Sequence, residues 1–206
     1  MAVSALIFDM DGTLVDSTEG VVGAYTDFAS AVGTTRYTSD QIVDRFSLGP
    51  PAAILSDLLG READANDIDQ YHRLLAERAW AIAAYAGVAS LLEACYGRVP
   101  LAVFTGADRA SAKLLLDAAN LGPFFAVLVT GDEIEHPKPD PEGLLVACAR
   151  LGVGVDSAAY VGDAERDLAA ARAAGVLAVA AGWGAEAARG PSDLVCAHPS
   201  DVLTLL

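Results

Sequence analysis

Short apolar runs alternate along this chain with longer stretches in which apolar residues recur every three or four positions. The first run, Val3 to Phe8, is rich in β-formers and predicts a buried strand. From Ser17 to about Ala86 the period is helical, and four helices are expected: Gly20–Val32, Ser39–Phe46, Pro51–Leu59 and Asp67–Tyr85. Ile68, Tyr71, Leu75, Ala79 and Ile82 mark the apolar face of the last. Gly33, Gly49-Pro50-Pro51 and Gly60 punctuate the block, and no strand-like alternation interrupts it.

From Gly87 the pattern changes to alternating helix and strand. Helices are expected at Val88–Tyr96, Ala110–Ala119, Pro141–Leu151 and Arg166–Ala174, with a last short one near Val202. Strands are expected at Leu101–Phe104, Ala126–Val129, Ala158–Val161 and Val176–Ala180. Asp140 is placed to cap the helix that Pro141 opens. Short apolar strands alternating with helices imply an α/β fold, a parallel sheet covered on both faces. The expected organisation is a core of residues 1–16 with 87–206, and an inserted all-α unit at 17–86.

In such a sheet, ligands bind outside the carboxyl ends of the strands. That rule singles out Asp9 and Asp11 after the first strand and Thr105-Gly106 after the second. It also selects Gly162-Asp163, with Asp167 one helical turn further on. Lys138 precedes a helix in His136-Pro137-Lys138-Pro139-Asp140-Pro141, where prolines stiffen the backbone on both sides. At a strand end, residues two apart project to one side, so Asp9 and Asp11 should converge, and Gly12 permits the tight turn that follows. Two close carboxylates cannot both ionise freely unless a cation intervenes. With Mg²⁺ on the first, Asp9 stays anionic and can attack phosphorus, while Asp11 holds and passes a proton.

Each feature also has a plainer reading. Asp9 to Thr13 is acceptable as an acidic turn, Thr105 as a helix cap, Lys138 as a solvated loop lysine, Asp163 as an N-cap and Asp167 as a first-turn acid. A calcium loop fails, because Leu14 and Gly20 stand where it needs glycine and glutamate. What distinguishes the set is the order and spacing of all four segments together.

Composition narrows the partners. The chain of 206 residues is 53% hydrophobic, enough for one sizeable core or a core with an inserted unit. A net charge of −15 argues against nucleic acid and against docking on anionic membranes. A phosphate site in so acidic a chain needs local positive charge or a metal. Lys113 and Lys138 are the only lysines, which makes the position of Lys138 informative. Cys95, Cys148 and Cys196 are odd in number, far apart and outside any CxxC pair, as expected of reduced thiols in a cytoplasmic protein. The N-terminus lacks a basic leader, and the run Val176 to Ala181 is too short to span a bilayer, so a soluble protein is expected.

The sequence resembles the haloacid dehalogenase-like hydrolases, in the phosphatase branch with a helical cap, over nearly its whole length. Asp9-Met10-Asp11-Gly12-Thr13 matches the first motif, Thr105 the second, Lys138 the third and Gly162-Asp163-Ala164-Glu165-Arg166-Asp167 the fourth. The resemblance implies a Rossmann-like core and an Mg²⁺-dependent phosphatase of a small phosphorylated metabolite. Asp9 would be the nucleophile and Asp11 the acid/base. The metal would sit among Asp9, the Asp11 carbonyl and Asp163, with Asp167 in support. Thr105, Gly106 and Lys138 would hold the phosphoryl group. Arg45 and the 46–50 loop are candidates to reach the substrate, Arg45 being equally acceptable as a solvated helix arginine, and His136 is a further candidate contact.

Asp11 argues against a dehalogenase, which lacks that residue. A block at 17–86 without lysine argues against a phosphonatase. Val21 stands where the sugar-phosphate mutases carry a histidine, which disfavours a mutase. Phe46-Ser47-Leu48-Gly49-Pro50-Pro51 and Gly182-Trp183-Gly184 look most like phosphoglycolate phosphatases. A phosphomutase and a non-catalytic phosphoryl-binding module remain the alternatives.

Overall fold

The computed structural model describes residues 2–34, 37–185 and 190–206. Strand β1 (Ala5–Phe8) leads into β2 (Val15–Asp16), after which the chain makes four helices, α1 (Thr18–Ala31), α2 (Ser39–Asp44), α3 (Pro51–Leu59) and α4 (Ala65–Glu77). It returns through β3 (Ala83–Ala84) to α5 (Val88–Cys95), β4 (Leu101–Phe104), α6 (Arg109–Ala118) and β5 (Val127–Val129). Then follow α7 (Glu142–Leu151), β6 (Ala158–Gly162), α8 (Glu165–Ala174), β7 (Leu177–Ala181) and β8 (Leu194–Cys196).

Six of the strands form one sheet in the order β5-β4-β1-β6-β7-β8, and all its pairings are parallel. The sheet is apolar along its strands because it is covered twice. Leu6 and Phe8 face a core shared with Leu91, Leu92 and Leu115, whereas Ala5 and Ile7 face one shared with Leu144, Ala147, Leu168 and Ala171. The α/β class and the helices on both faces agree with the sequence pattern.

The four inserted helices carry the end signals that their sequences supply. Thr38 with Gln41 and Asp64 with Asp67 form capping boxes on α2 and α4. Pro51 opens α3, and Gly60 closes it at φ 64°. Tyr25 of α1 and Tyr71 of α4 stack with ring centroids 4.4 Å apart, which ties the first and last of these helices together.

The chain enters and leaves this block through β2 and β3, paired antiparallel at Val15–Ala84 and Asp16–Ala83. The expectation of an uninterrupted helical block is therefore corrected. The helix expected over 67–85 stops at Glu77, and a 3₁₀ turn at Ala79–Ala81 leads into β3. Ile82, buried as its periodicity demanded, gets there from an extended backbone. Trp80 is 73% exposed on the turn. The helix expected from Pro141 begins one residue later, although Asp140 Oδ1 still accepts from the Glu142 N–H at 2.9 Å. Strand β8 was not expected at all.

Candidate active site

Asp9 leaves β1 with its N–H still donating to the Val161 carbonyl, at 2.8 Å, so the sheet ladder itself sets its direction. Its carboxylate is buried and meets Lys138, whose Nζ lies 2.5 Å from Asp9 Oδ1 and 2.8 Å from Asp167 Oδ1. Nζ also donates to the Tyr160 hydroxyl at 2.9 Å, and that hydroxyl lies 3.1 Å from the Phe104 carbonyl it can donate to. Burial alone would push this ammonium down, but the charges of Asp167 and Asp9 outweigh it and hold Lys138 above its ordinary value. Burial pushes Asp9 well up, the charge of Asp167 adds to the rise, and Lys138 opposes it.

Asp163, at the end of β6, accepts a 3.0 Å hydrogen bond from the Thr13 hydroxyl. Gly12 passes so close that a Cβ there would stand 2.6 Å from Asp163 Oδ2, and its φ of 84° is left-handed. Glycine is required at that turn for both reasons. Trp183 Nε1 donates to the Thr13 carbonyl at 2.9 Å, so the late Gly-Trp-Gly segment braces the same turn.

Asp9, Asp163 and Asp167 are all buried, and they bring one carboxylate oxygen each within 4.8 Å of one another. Lys138 contacts two of the three, Asp9 and Asp167. Three buried, hard carboxylate donors converging in this way suit a divalent cation of the Mg²⁺ kind. The Asp11 side chain is not one of the trio. Its Oδ1 accepts from the Ser17 hydroxyl at 2.5 Å and its Oδ2 from the Thr105 hydroxyl at 3.4 Å. Burial raises the Asp11 carboxyl, and the Ser17 hydrogen bond opposes that rise. Thr105 in turn accepts from the Ala107 N–H at 3.1 Å.

These groups open onto a cavity of about 110 Å³ between the sheet edge and the inserted helices. Asp9, Asp11, Thr105, Gly106, Lys138 and Arg166 line its floor, and Tyr25, Phe46, Ile54 and Tyr71 line its roof. The structure thus brings Asp9, Asp11, Thr105, Gly106, Lys138, Asp163 and Asp167 to one place.

It does not bring Arg45 there. Arg45 Nε is 2.6 Å from Asp57, a second guanidinium nitrogen bonds the Gln41 carbonyl, and the group lies over the Tyr37 ring. Phe46, Ser47 and Gly49 of the same stretch line the cavity instead. His136 is likewise turned to Glu142, at 3.0 Å.

Tyr160, Ser17, Thr13 and Arg166 were not selected from the sequence as functional. Thr13 closes the first motif and Ser17 follows it closely, so both were candidates the sequence offered. Tyr160 sits inside an apolar strand, where nothing in the pattern separates it from core.

One contact ties the inserted helices to the core beside the site. His72 Nε2 on α4 is 2.8 Å from Asp108 Oδ2, and Asp108 caps α6 by accepting from the Ser111 N–H at 2.9 Å. The Asp108 hydrogen bond raises the His72 pKa. Burial works against the Asp108 charge, but His72 and Ser111 hold its pKa below the ordinary value. A raised imidazole stabilises below its unfolded pKa and stops doing so as pH climbs through the folded value. A lowered carboxyl stabilises above its unfolded pKa and stops as pH falls through the folded one. The pair should therefore contribute most at about pH 5–6. His72→Ala is expected to cost about 1 kcal/mol there and much less by about pH 9, read from Tm against pH. A difference unchanged at high pH would mean that His72 acts through its packing on Tyr71.

Comparison with known proteins accords with this geometry. Residues 6–181 match the family model described as haloacid dehalogenase-like hydrolase, and the chain belongs to that family. It is an enzyme of the phosphatase kind within it, phosphoglycolate phosphatase-like in sequence. It is 35% identical over 188 residues to the probable phosphatase IndB of Dickeya dadantii, covering 87% of this chain and 81% of that one. It is 34% identical over 187 residues to a phosphoglycolate phosphatase of Xanthomonas campestris pv. campestris, covering 87% and 83%. The crystal structure of CbbY from Rhodobacter sphaeroides in complex with phosphate superposes with a TM-score of 0.83 at 20% identity, covering 97% and 96%, a likeness of fold. Among the described residues no helix is long and apolar enough to cross a membrane.

Proposed function

We propose that the chain is an Mg²⁺-dependent phosphomonoesterase of a small phosphorylated metabolite, working through an aspartyl-phosphate on Asp9. The observation that carries this reading is the pairing of Asp9 with Lys138, beside Asp163 and Asp167, on the floor of a cavity that Asp11 shares. Asp9 Oδ attacks phosphorus, and the ester oxygen leaves with a proton from Asp11. Asp11 then takes a proton from water, which attacks the same phosphorus and releases phosphate and the free Asp9 carboxylate. Ser17 holds the Asp11 carboxylate in place for both proton transfers, and the Thr105 hydroxyl, 3.4 Å from Asp11 Oδ2, turns its one proton to the phosphoryl group when substrate is bound.

Lys138, the Thr105 hydroxyl and the Gly106 N–H serve the phosphoryl oxygens as preorganised donors. Asp9, Asp163, the Asp11 carbonyl and, in support, Asp167 would hold Mg²⁺. When bound, that ion neutralises phosphoryl charge and keeps Asp9 ionised despite its buried neighbours.

Residues 1–16 and 87–206 act as the catalytic core, with 17–86 as a cap that opens to admit substrate and closes to exclude bulk water. The antiparallel pair β2–β3 is the hinge that this division calls for. Val21 lines the cavity at the position where a mutase would carry its imidazole, which favours hydrolysis over transfer to an isomer. Three buried cysteines outside any disulfide favour a cytoplasmic setting.

The test is phosphate release from a panel of phosphorylated metabolites with Mg²⁺ and with EDTA. Release that stops in EDTA and returns with Mg²⁺ is expected. Release unaffected by chelation would remove the metal from the reading, and an isomeric phosphate ester as sole product would make the enzyme a mutase.

A further inference from the structure

The cavity has two chemically different ends. At its floor stand every charged group that lines it: Asp9, Asp11, Lys138 and Arg166. Arg166 belongs to that end, since its charge acts on Asp11 and on Tyr160. The opposite wall is made by Tyr25, Phe46, Ile54, Tyr71 and Leu115. Tyr25 and Tyr71 stack on each other, and Phe46 lies 6.4 Å from Tyr25, so the aromatic part of the wall is held by its own packing.

Buried in this wall is Ser111, 2% exposed, whose hydroxyl completes no hydrogen bond among the described residues. An unpaired buried hydroxyl is costly unless something occupies the space in front of it. The wall's other hydroxyls are engaged, Ser47 with the Asp44 carbonyl and Tyr25 with Tyr71, so a sugar or a carboxylate turned toward it would bury several oxygens with few donors left to meet them. An apolar group would replace water on aromatic and aliphatic surface.

We propose that the ester hydrolysed here carries a compact apolar or aromatic alcohol with at most one hydrogen-bonding group, seated on the Tyr25–Phe46–Ile54–Tyr71 wall, and not a polyol or a hydroxy acid. This rests on the phosphatase reading and deepens it. Specificity then lies in the apolar face of the inserted helices. Arg45, which contacts Asp57, Gln41 and Tyr37, has no part in it.

The test compares benzyl phosphate, glycerol phosphate and phosphoglycolate on the Mg²⁺-loaded enzyme. The benzyl ester has a leaving alcohol no more acidic than glycerol, so intrinsic reactivity does not favour it. Its kcat/KM is expected to exceed the other two by about tenfold or more, an advantage carried in KM. Ile54→Asn should narrow that ratio from both sides, weakening the benzyl ester and improving the glycerol ester. Equal values, or a preference for phosphoglycolate or glycerol phosphate, would overturn the inference while leaving the phosphatase reading intact.

Binding of two non-hydrolysable phosphonates, benzylphosphonate and 3-phosphonopropanoate, keeps the question separate from turnover. Tighter binding of benzylphosphonate is expected even in a preparation that hydrolyses none of the esters, a result that would sink the phosphatase reading and not the apolar seat. Equal or weaker binding would count against the seat directly.

Discussion

Asp9→Asn is expected to lower kcat by roughly 10⁴-fold or more without loosening the fold. The proposed reaction needs an anionic oxygen at that position, and an amide cannot form the acyl phosphate. The structural side of the expectation is as specific. Asp9 is buried with two like charges close by, and its carboxyl is pushed up chiefly by that burial. A carboxyl whose pKa is raised by folding costs stability once the pH exceeds its unfolded value of about 4. In the absence of divalent cation, and at neutral pH, Asp9→Asn should therefore match or exceed the wild type in Tm. With Mg²⁺ added, the wild type should gain more than the variant, because the variant has lost one anionic member of the proposed cation site. A variant that is inactive because it is unfolded would fail both halves of this expectation.

Lys138→Met is expected to lower stability severely. The methionine keeps much of the volume but removes the ammonium that touches Asp9, Asp167 and the Tyr160 hydroxyl. Two buried carboxylates lose their shared partner, and breaking a buried pair in this way costs about 3–5 kcal/mol. For a chain of this length that corresponds to a Tm lower by about 10 °C, measured in chelator. Turnover should fall as well, through kcat, since the proposed mechanism also uses the ammonium on the transferring phosphoryl group. If Tm in chelator were unchanged, the account of Lys138 as the charge that holds the buried carboxylates together would be wrong.

How far the sequence could be read followed from how each feature is encoded. The strands with four or five apolar residues were legible because burial on both faces leaves a continuous run, as in Ala5–Phe8 and Leu101–Phe104. Of the strands of two or three residues only Val127–Val129 was. Val15–Asp16 and Ala83–Ala84 are too short to display any period, and Leu194–Cys196 is half covered. The periodicity overextends the Asp67–Tyr85 helix because Ile82 is buried in phase with α4 while belonging to an extended segment.

For the site, the order of acids, hydroxyl and lysine along the chain was visible, since each follows a strand or precedes a helix. The network that holds them was not. Tyr160 reads as one more core residue of β6 until its hydroxyl is found between Lys138 and the Phe104 carbonyl. Arg45 failed for the opposite reason. A lone arginine near a loop carries no sign of which neighbour it will meet, and its partner Asp57 lies on another helix.

The account stands most directly on the covalent intermediate. Enzyme loaded with Mg²⁺ would be mixed with an ester labelled in its phosphoryl group, quenched in acid through a single turnover, and digested for peptide mapping. The label is expected on the peptide holding Asp9, rising before free phosphate and falling as phosphate accumulates. Label on another residue, or phosphate appearing through the whole turnover with no label on the chain, would contradict the mechanism.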